Sequence, residues 1–360
     1  MRHTNLLLRF LNLSLLGTVI SLATGTPPYS LGTSYDPIPT GAIGPPVPNP
    51  PGYRLQDLGD GAYMVTDGIY QAMFLVSCES VIVVYNPPSI GYNMLNAIRN
   101  VTSLPISHVV YSHSHADHIG AAYVLGTPEN VTFVAHRQTA DQLAMTPDKH
   151  RPPPSITFQD SYKLQVCNQT LELNYMGSNH EPGNIFIWAP LQKIIMLVDI
   201  VYPGWVPYYE LGVAQNVPGY VMAHKQILTY DFKHYIGGHL DRTGTREDVL
   251  TSQAYVNDLF DACVEAMNLS KNPNSTLYAP AVQGAVAGAF PGNSWLVVDT
   301  VNTMLSGWAN NVTNEKWKGK LAGLDIYGES NAATMLEAVL INWGISGAFG
   351  VSNGPGPEEE

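Results

Sequence analysis

Four side chains of the types that bind metal ions lie close together in the segment YSHSHADHIGAA, which spans residues 111–122. They are His113, His115, Asp117 and His118. The preceding residues, ISHVVYS, are mostly apolar and predict a buried strand that ends where the histidines begin. His113 and His115 are two residues apart and would point the same way in an extended turn, whereas Asp117 and His118 would turn to a second position. One loop could therefore supply two adjacent metal ions, which can activate a water molecule held between them.

Three further candidate ligands follow predicted strands later in the chain. His180 lies in the glycine-rich loop GSNHEPGN, Asp199 ends the apolar run IIMLVD, and His239 follows YIGG. Each offers an imidazole or a carboxylate at a strand end, where the ligands of a metal site can converge from a rigid frame. The chain has eleven histidines. The five of this set all occupy such positions, which favours a functional cluster over scattered surface residues.

In order and spacing, these seven residues resemble the metallo-β-lactamase superfamily. That family carries H-x-H-x-D-H, then a His in a glycine-rich loop, an Asp that ends a strand and a final His. The resemblance covers residues 53–246. It implies an α/β (α+β) fold, built as a four-layered αββα sandwich with the metal site at one edge between two sheets. The residues agree with this layout, because predicted strands and helices alternate along the region.

The resemblance also implies a role for each candidate ligand. One ion would be held by His113, His115 and His180, a second by Asp117, His118 and His239, with Asp199 as the bridge. Asp117 is in addition the predicted catalytic residue. Nitrogen and carboxylate ligands make two Zn²⁺ ions the expected cofactor, although iron or manganese would suit the same ligands. A Glu at the position of His115 would indicate diiron redox chemistry, so His115 favours hydrolysis.

One position departs from the family pattern. Relatives commonly end the strand that corresponds to VIVVYNPP with an Asp that supports the metal ligands, and here Tyr85 and Asn86 stand at that place. Partners that orient metal ligands are typically worth about 10–100-fold in metal affinity or activity. Either Asn86 or a water molecule takes over that role, or metal binding is weaker.

Composition divides the chain into five predicted segments. Residues 1–25 are predicted to be a secretory signal peptide, because Arg2 precedes an apolar run that ends in small residues at Ala23 and Gly25. A membrane anchor is the alternative, but the uninterrupted apolar run is shorter than the ~20 residues that a span needs. The other segments are a Pro- and Gly-rich arm (26–52), a metallo-β-lactamase-like domain (53–246), a helical C-terminal extension (247–350) and a disordered tail (351–360).

Two further features of the sequence agree with a secretory route. This route predicts an extracellular glycoprotein that is free of the membrane once the signal peptide is removed. N-x-[ST] triplets, the acceptor sites of N-glycosylation, occur at Asn100, Asn130, Asn168, Asn268, Asn274 and Asn311. The cysteines are Cys78, Cys167 and Cys263, an odd number that permits one disulfide within the chain. The sequence does not choose the pair.

The partner is expected to be a small molecule. Seventeen basic against 29 acidic residues give a net charge of −12, which disfavours nucleic acid because a phosphate backbone would be repelled. The segment VYPGWVPYYELG follows Asp199 and contains Trp205, Tyr208 and Tyr209. These aromatic residues are predicted to bind an apolar or cyclic substrate. The alternative is that they pack the C-terminal helices over the core.

The leading functional hypothesis is a secreted metal-dependent hydrolase. A hydroxide held between two metal ions would attack a small ester, lactone, lactam or related substrate. Two alternatives remain open at this stage. One is a mononuclear iron oxidoreductase similar to persulfide-oxidising relatives, and the other is a non-catalytic binding protein on the same fold. The oligomeric state is not predicted.

Overall fold

The computed structural model describes residues 35–345. The predicted signal peptide, residues 26–34 of the predicted arm, residues 346–350 and the predicted tail lie outside the described residues. From Pro37 onward the described chain belongs to one compact unit. Within it, no helix combines the length and the apolar character that crossing a membrane requires.

A seven-stranded sheet forms the first half of the unit, with its strands side by side in chain order. The strands are β1 (Arg54–Gly59), β2 (Ala62–Thr66), β3 (Gln71–Val76), β4 (Val81–Val84), β5 (Ile106–Val110), β6 (Thr132–His136) and β7 (Ile156–Phe158). Pairing is antiparallel from β1 to β4 and parallel from β4 to β7. All four residues of β4 are buried, as expected of a continuous apolar run covered on both faces.

A second sheet of five strands packs against the first, in the order β12-β11-β10-β9-β8. Its strands are β8 (Ser161–Val166), β9 (Gln169–Asn174), β10 (Phe186–Ala189), β11 (Ile194–Met196) and β12 (His234–Ile236). Successive side chains of a strand point to opposite faces. Ile194 and Met196 accordingly lie in the core between the sheets, whereas Ile195 lies in the core beneath the helices on the other face.

Helices cover the outer face of each sheet. The helices α1 (Asn93–Val101), α2 (Ala116–Ile119) and α3 (Arg137–Met145) accompany the first sheet, and Met94 and Ile98 of α1 belong to the same apolar cluster as the residues of that sheet. On the second sheet lie α4 (Val217–Ile227) and α5 (Arg246–Leu269), whose apolar residues share a core with Ile195. The predicted αββα layering is therefore confirmed.

The C-terminal helices follow directly, as the apolar stripes of the sequence predict. After α5 come α6 (Ala279–Ala289), α7 (Ser294–Trp317) and α8 (Leu324–Ile341). Thr245 caps α5: its hydroxyl accepts a hydrogen bond from Asp248 N at 3.3 Å, and the Asp248 carboxylate accepts one from Thr245 N at 2.8 Å. This reciprocal arrangement satisfies amide groups that an uncapped helix would leave without partners.

Two contacts fix parts of the chain that the sequence left open. Cys78 and Cys167 form a disulfide with a Cα–Cα distance of 6.0 Å, and Cys263 is buried as a free thiol in α5. Because Cys78 precedes β4 and Cys167 follows β8, the disulfide joins the two sheets at the end opposite the carboxyl ends of β4 and β5. At the other end the arm packs on the domain, where Ala42 O accepts a hydrogen bond from Trp205 Nε1 at 3.2 Å.

Candidate metal centre

The seven predicted ligands are brought to one edge of the sandwich by the ends of strands. His113 and His115 follow β5, and the chain then turns into α2, which carries Asp117 and His118. The remaining three follow β9, β11 and β12, which run in the same direction because β9 and β11 are both antiparallel to β10 and β11 is parallel to β12. Strands that share a direction end at the same edge, so His180, Asp199 and His239 meet the β5 loop there.

The side chains form two adjoining groups. His113, His115, His180 and Asp199 make up one, and Asp117, His118 and His239 make up the other; within each group the candidate ligand atoms lie within 4.8 Å of one another. Asp199 connects the groups. Its Oδ2 atom lies 3.4 Å from His113 Nε2 and 3.1 Å from His118 Nε2, and its Oδ1 atom lies 2.8 Å from His239 Nε2. One carboxylate thus faces both groups.

The donor atoms fit divalent cations. His113 Nε2 and His118 Nε2 are buried and have no hydrogen-bond partner in the described structure, although both point towards the Asp199 carboxylate. Buried polar atoms are normally satisfied, so this arrangement is what a cation coordinated between them would complete. Three imidazoles with a carboxylate are also a donor set that zinc commonly takes.

Electrostatics keep His113, His180 and Asp199 in the forms that bind metal. Burial, and secondarily the neighbouring imidazoles, lower the pKa of His113 well below its usual value. Burial lowers the pKa of His180 in the same way. Burial alone would raise the pKa of Asp199, but the histidines around it, led by His118, outweigh that and hold the pKa well below its usual range. Neutral imidazoles and an ionised carboxylate are the states that a metal ion requires.

Comparison with known proteins agrees with this geometry. Residues 87–248 match the sequence model of the metallo-β-lactamase superfamily. The chain contains a metallo-β-lactamase domain. It is 23% identical over 212 residues to the 2,4-dinitroanisole O-demethylase subunit alpha of Nocardioides sp. (strain JS1661); the match covers 57% of this chain and 64% of that relative.

Solved structures of metallo-β-lactamases align with just over half of the chain. The enzyme from Pontibacter korlensis has a TM-score of 0.49 and 17% identity, over 56% of this chain and 97% of its own. The metallo-β-lactamase IND-7 has a TM-score of 0.48 and 16% identity, over 56% of this chain and 98% of its own.

One residue of the metallo-β-lactamase domain that sequence analysis missed, Glu181, supports the ligands. It is fully buried, and its carboxylate accepts hydrogen bonds from Ser114 N at 2.6 Å and Ser114 Oγ at 3.2 Å. Its Oε2 atom lies 3.0 Å from His115 Nε2. This contact occupies Nε2 and leaves Nδ1 of His115 facing His180, 2.9 Å from His180 Nε2. The only signal in the sequence was the position of Glu181 next to His180.

The departure at Tyr85 and Asn86 is explained by packing. The Asn86 amide donates hydrogen bonds to Gly91 O at 3.1 Å and Ala121 O at 3.0 Å, so it fixes loops and does not contact the ligands. The Tyr85 hydroxyl donates to Gln71 O, and its ring packs edge-on against His118 at 5.3 Å between centroids. His118 Nδ1 is buried without a hydrogen-bond partner in the described structure. On this side the His118 ring is therefore held by an aromatic contact.

A cavity of about 420 Å³ opens onto the candidate centre of the domain. Asp117 and His115 are the accessible members of the cluster, with 47% and 32% of their side chains exposed. Aromatic rings form much of the remaining wall and come from Tyr70, Tyr202, Trp205, Tyr208 and Tyr327. Trp205 and Tyr208 were predicted to bind substrate. Tyr209, predicted with them, is not among the lining residues and is exposed beside Tyr208.

One side of the cavity is built from a left-handed turn, Tyr209–Val213. The φ angles of Glu210, Leu211, Gly212 and Val213 lie between 53° and 70°. Non-glycine residues in this conformation typically cost about 1 kcal/mol or more each, so the surrounding structure has to hold the turn. No larger residue fits at position 212 without a clash, because a Cβ on Gly212 would lie 2.9 Å from both Asp199 O and Tyr202 Oη.

Helix α8 supplies the contacts that hold this turn. Asn331, fully buried, accepts a hydrogen bond from Leu211 N at 2.7 Å and donates one to Pro207 O at 2.9 Å. The Leu211 side chain is buried in the core shared with the C-terminal helices. From the same helix, Tyr327 contacts Tyr208 edge-on at 5.1 Å between centroids. The helical extension thus forms part of the cavity of the metallo-β-lactamase domain.

Proposed function

We propose that this chain is a metal-dependent hydrolase that cleaves a small ester, lactone or lactam, with two zinc ions as the cofactor. The observation that carries the proposal is the position of Asp199, whose two carboxylate oxygens face two adjoining groups of histidine and aspartate ligands. When bound, two divalent cations would lower the pKa of a shared water molecule and polarise the carbonyl group that it attacks.

The residues of the chain account for the other requirements of hydrolysis. The water oxygen forms a bond to the acyl carbon, the bond to the leaving oxygen or nitrogen breaks, and the water proton passes to that leaving atom. Asp117 lies at the open side of the site and is suited to carry this proton. Tyr70 Oη donates a hydrogen bond to Asp117 Oδ2 at 3.3 Å and would orient the carboxylate. The aromatic wall would hold the substrate and reduce access of bulk water.

A second candidate reaction is the cleavage of an activated aryl alkyl ether. The relative from Nocardioides is named as the alpha subunit of an O-demethylase for 2,4-dinitroanisole. The aromatic wall of the cavity would suit such a ring as well as it suits an aryl ester. Nitroanisoles therefore belong in the substrate panel.

Metal analysis followed by a substrate panel tests the proposal. Purified full-length protein is expected to hold two divalent ions per chain and to hydrolyse esters or lactones. A chelator should remove the activity and added Zn²⁺ should restore it. One iron per chain with oxygen consumption would instead support the mononuclear oxidoreductase. Two ions without turnover of any ester, lactone, lactam, thioester, phosphoester or nitroanisole would support a binding protein.

We further propose that the protein is secreted and glycosylated, with no membrane attachment after signal cleavage. The Cys78–Cys167 disulfide supports this, because disulfides persist mainly in oxidising compartments. The asparagines of all six N-x-[ST] triplets after the signal are exposed. Expression in a eukaryotic host should give protein in the medium whose mass falls after treatment with an N-glycosidase. Retention inside the cell in an unglycosylated form would contradict this.

A further inference from the structure

Two chemically different sets of side chains line the cavity. One set is the candidate ligands, including Asp117 and Asp199. The other set, the apolar wall, consists of aliphatic side chains and of aromatic rings from two distant segments. These residues are Ile69, Val206, Val213 and Leu240, with Trp205, Tyr208 and Tyr327. A substrate whose reacting bond lies at the ligands would place much of the rest of its structure against the apolar wall.

The apolar wall offers no positive charge. None of the described residues that line the cavity is a lysine or an arginine. Arg242 follows closely after Leu240 in the chain, but its guanidinium is paired with the Asp248 carboxylate at 2.6 and 3.0 Å. An anionic group placed against this wall would lose water without gaining a counter-ion, which disfavours its binding.

The aromatic rings of the apolar wall favour a flat aromatic group over an aliphatic group of similar size. Tyr208 and Tyr327 already meet edge-on, and Trp205 lies on the same wall with its indole N–H bonded to Ala42 O. Aromatic pairs gain from such edge and face contacts beyond the area that they bury. The volume of about 420 Å³ is near the small end of the range of about 300–1,000 Å³ for ligand pockets.

We propose that this cavity selects neutral aromatic substrates, such as aryl esters or aryl lactones, and rejects substrates with an anionic group remote from the reacting bond. This inference rests on the proposed hydrolase function and specifies its substrate class. The selection is made by Tyr208, Tyr327 and Trp205, together with the absence of a cation from the described wall.

Matched substrates test the charge selection on the zinc-loaded, full-length protein. The pair is a phenyl acetate with a para CH₂–COO⁻ group and the methyl ester of the same compound, because the methylene group keeps the two leaving groups alike. We expect kcat/KM to be at least 10-fold lower for the anion. Equal values would overturn the proposal.

Binding gives a readout that does not need turnover. The acetanilides with the same two para groups replace the ester by a slowly reacting amide, and titration calorimetry measures their dissociation constants. We expect the neutral acetanilide to bind at least 10-fold more tightly than the anionic one. If no ester is hydrolysed but this preference is found, the hydrolase proposal fails while the selection for neutral aromatic ligands stands. If neither amide binds, the selection proposal fails.

Two variants localise the selection. Val213→Lys places a cation on the wall, and we expect the ratio of neutral to anionic kcat/KM to fall at least 5-fold. Met222→Lys adds the same charge at an exposed position of α4 outside the cavity lining and should leave that ratio unchanged.

Tyr327→Leu tests the contribution of the ring, because it keeps an apolar side chain without the aromatic group. We expect the preference for phenyl acetate over cyclohexyl acetate to fall at least 5-fold. A ratio that responds equally to both lysines, or a ring preference that survives Tyr327→Leu, would overturn the assignment.

Discussion

The candidate metal centre and the cavity wall beside it are built in different ways. The centre is formed by short loops at the ends of β5, β9, β11 and β12, and four of its seven residues lie within six positions. The wall combines a left-handed turn with side chains of α8, about 120 residues further along the chain. Under the proposed function, the chemistry would be carried by a local motif on a rigid frame, whereas selection of the substrate would depend on tertiary contacts with an added layer.

The largest effect is expected from Asp199, which belongs to both groups of ligands. Asp199→Asn removes the negative charge that faces both sets of histidines and should abolish activity, with loss of at least one bound ion. Elemental analysis and hydrolysis of the best substrate measure the two effects. Asp160→Asn changes an exposed carboxylate in the β7–β8 turn and should alter neither. Full activity in Asp199→Asn would remove the basis for a bridging role.

A histidine in the layer beneath the wall should make stability depend on pH. His224 is fully buried in α4, and its Nε2 accepts a hydrogen bond from Ser252 Oγ at 3.1 Å. Burial lowers its pKa from 6.5 to about 4. The unfolded chain therefore binds a proton at a higher pH than the folded chain does. The resulting stability is complete above about pH 6.5 and is lost as the pH falls towards 4.

The lost stability should amount to about 3 kcal/mol in the free energy of unfolding. Urea unfolding of the wild type and of His224→Gln at pH 7.5 and pH 4.5 measures it. The difference between the two proteins isolates His224 from other titrating groups, and Gln keeps a donor and an acceptor. We expect the variant to lose clearly less stability between the two pH values. Parallel curves would show that His224 is not the group responsible.

Glu181 should affect the centre without affecting the wall. Glu181→Gln weakens the contact with His115 Nε2, and partners of this type typically contribute about 10–100-fold to metal affinity. A competition titration with a zinc chelator measures the change, while the preference between neutral and anionic acetanilides should stay the same. Glu129→Gln changes an exposed side chain and serves as the control. Unchanged zinc affinity in Glu181→Gln would mean that Ser114 alone orients the loop.

Substitution of Asn331 should have the opposite effect: it should disturb the cavity wall and leave the candidate metal centre intact. Asn331→Ala removes the hydrogen bonds to Leu211 N and Pro207 O and should lower the free energy of unfolding by about 1–2 kcal/mol. Metal content should be unchanged, and KM should rise more than kcat falls. Asn342→Ala, at the exposed end of the same helix, is the matched control. Loss of metal in Asn331→Ala would show that the two regions are not separable.

The contrast also explains what the sequence could predict. The αββα layers followed from the family resemblance, which short motifs carry, and the helical extension followed from the sequence pattern along the chain. All seven predicted ligands lie together, and their assignment to two ions stays a prediction, as do the domain boundaries. Glu181, Tyr327 and the choice of Cys78 with Cys167 depend on which segments meet in three dimensions. No local pattern in the sequence contains that information.

The aromatic segment after Asp199 illustrates the same limit. Trp205, Tyr208 and Tyr209 were equivalent in the sequence, yet only the first two line the cavity. The difference arises because the chain enters a left-handed turn at this point, and four consecutive residues with positive φ are not indicated by residue type. Asn331 and Gly212 make the turn possible, and both act through contacts with residues that are not their neighbours in sequence.

The contact between the arm and Trp205 matters for anyone who shortens this protein. A recombinant form that starts at Tyr53, the predicted first residue of the metallo-β-lactamase-like domain, would lack Ala42 and its carbonyl group. The indole of Trp205 would then lose its hydrogen-bond acceptor, and the packing of Gly204 against Ala42 would be replaced by solvent. Such a trimmed protein would already carry an altered cavity wall, so any ligand preference measured on it would describe the truncation as much as the full chain.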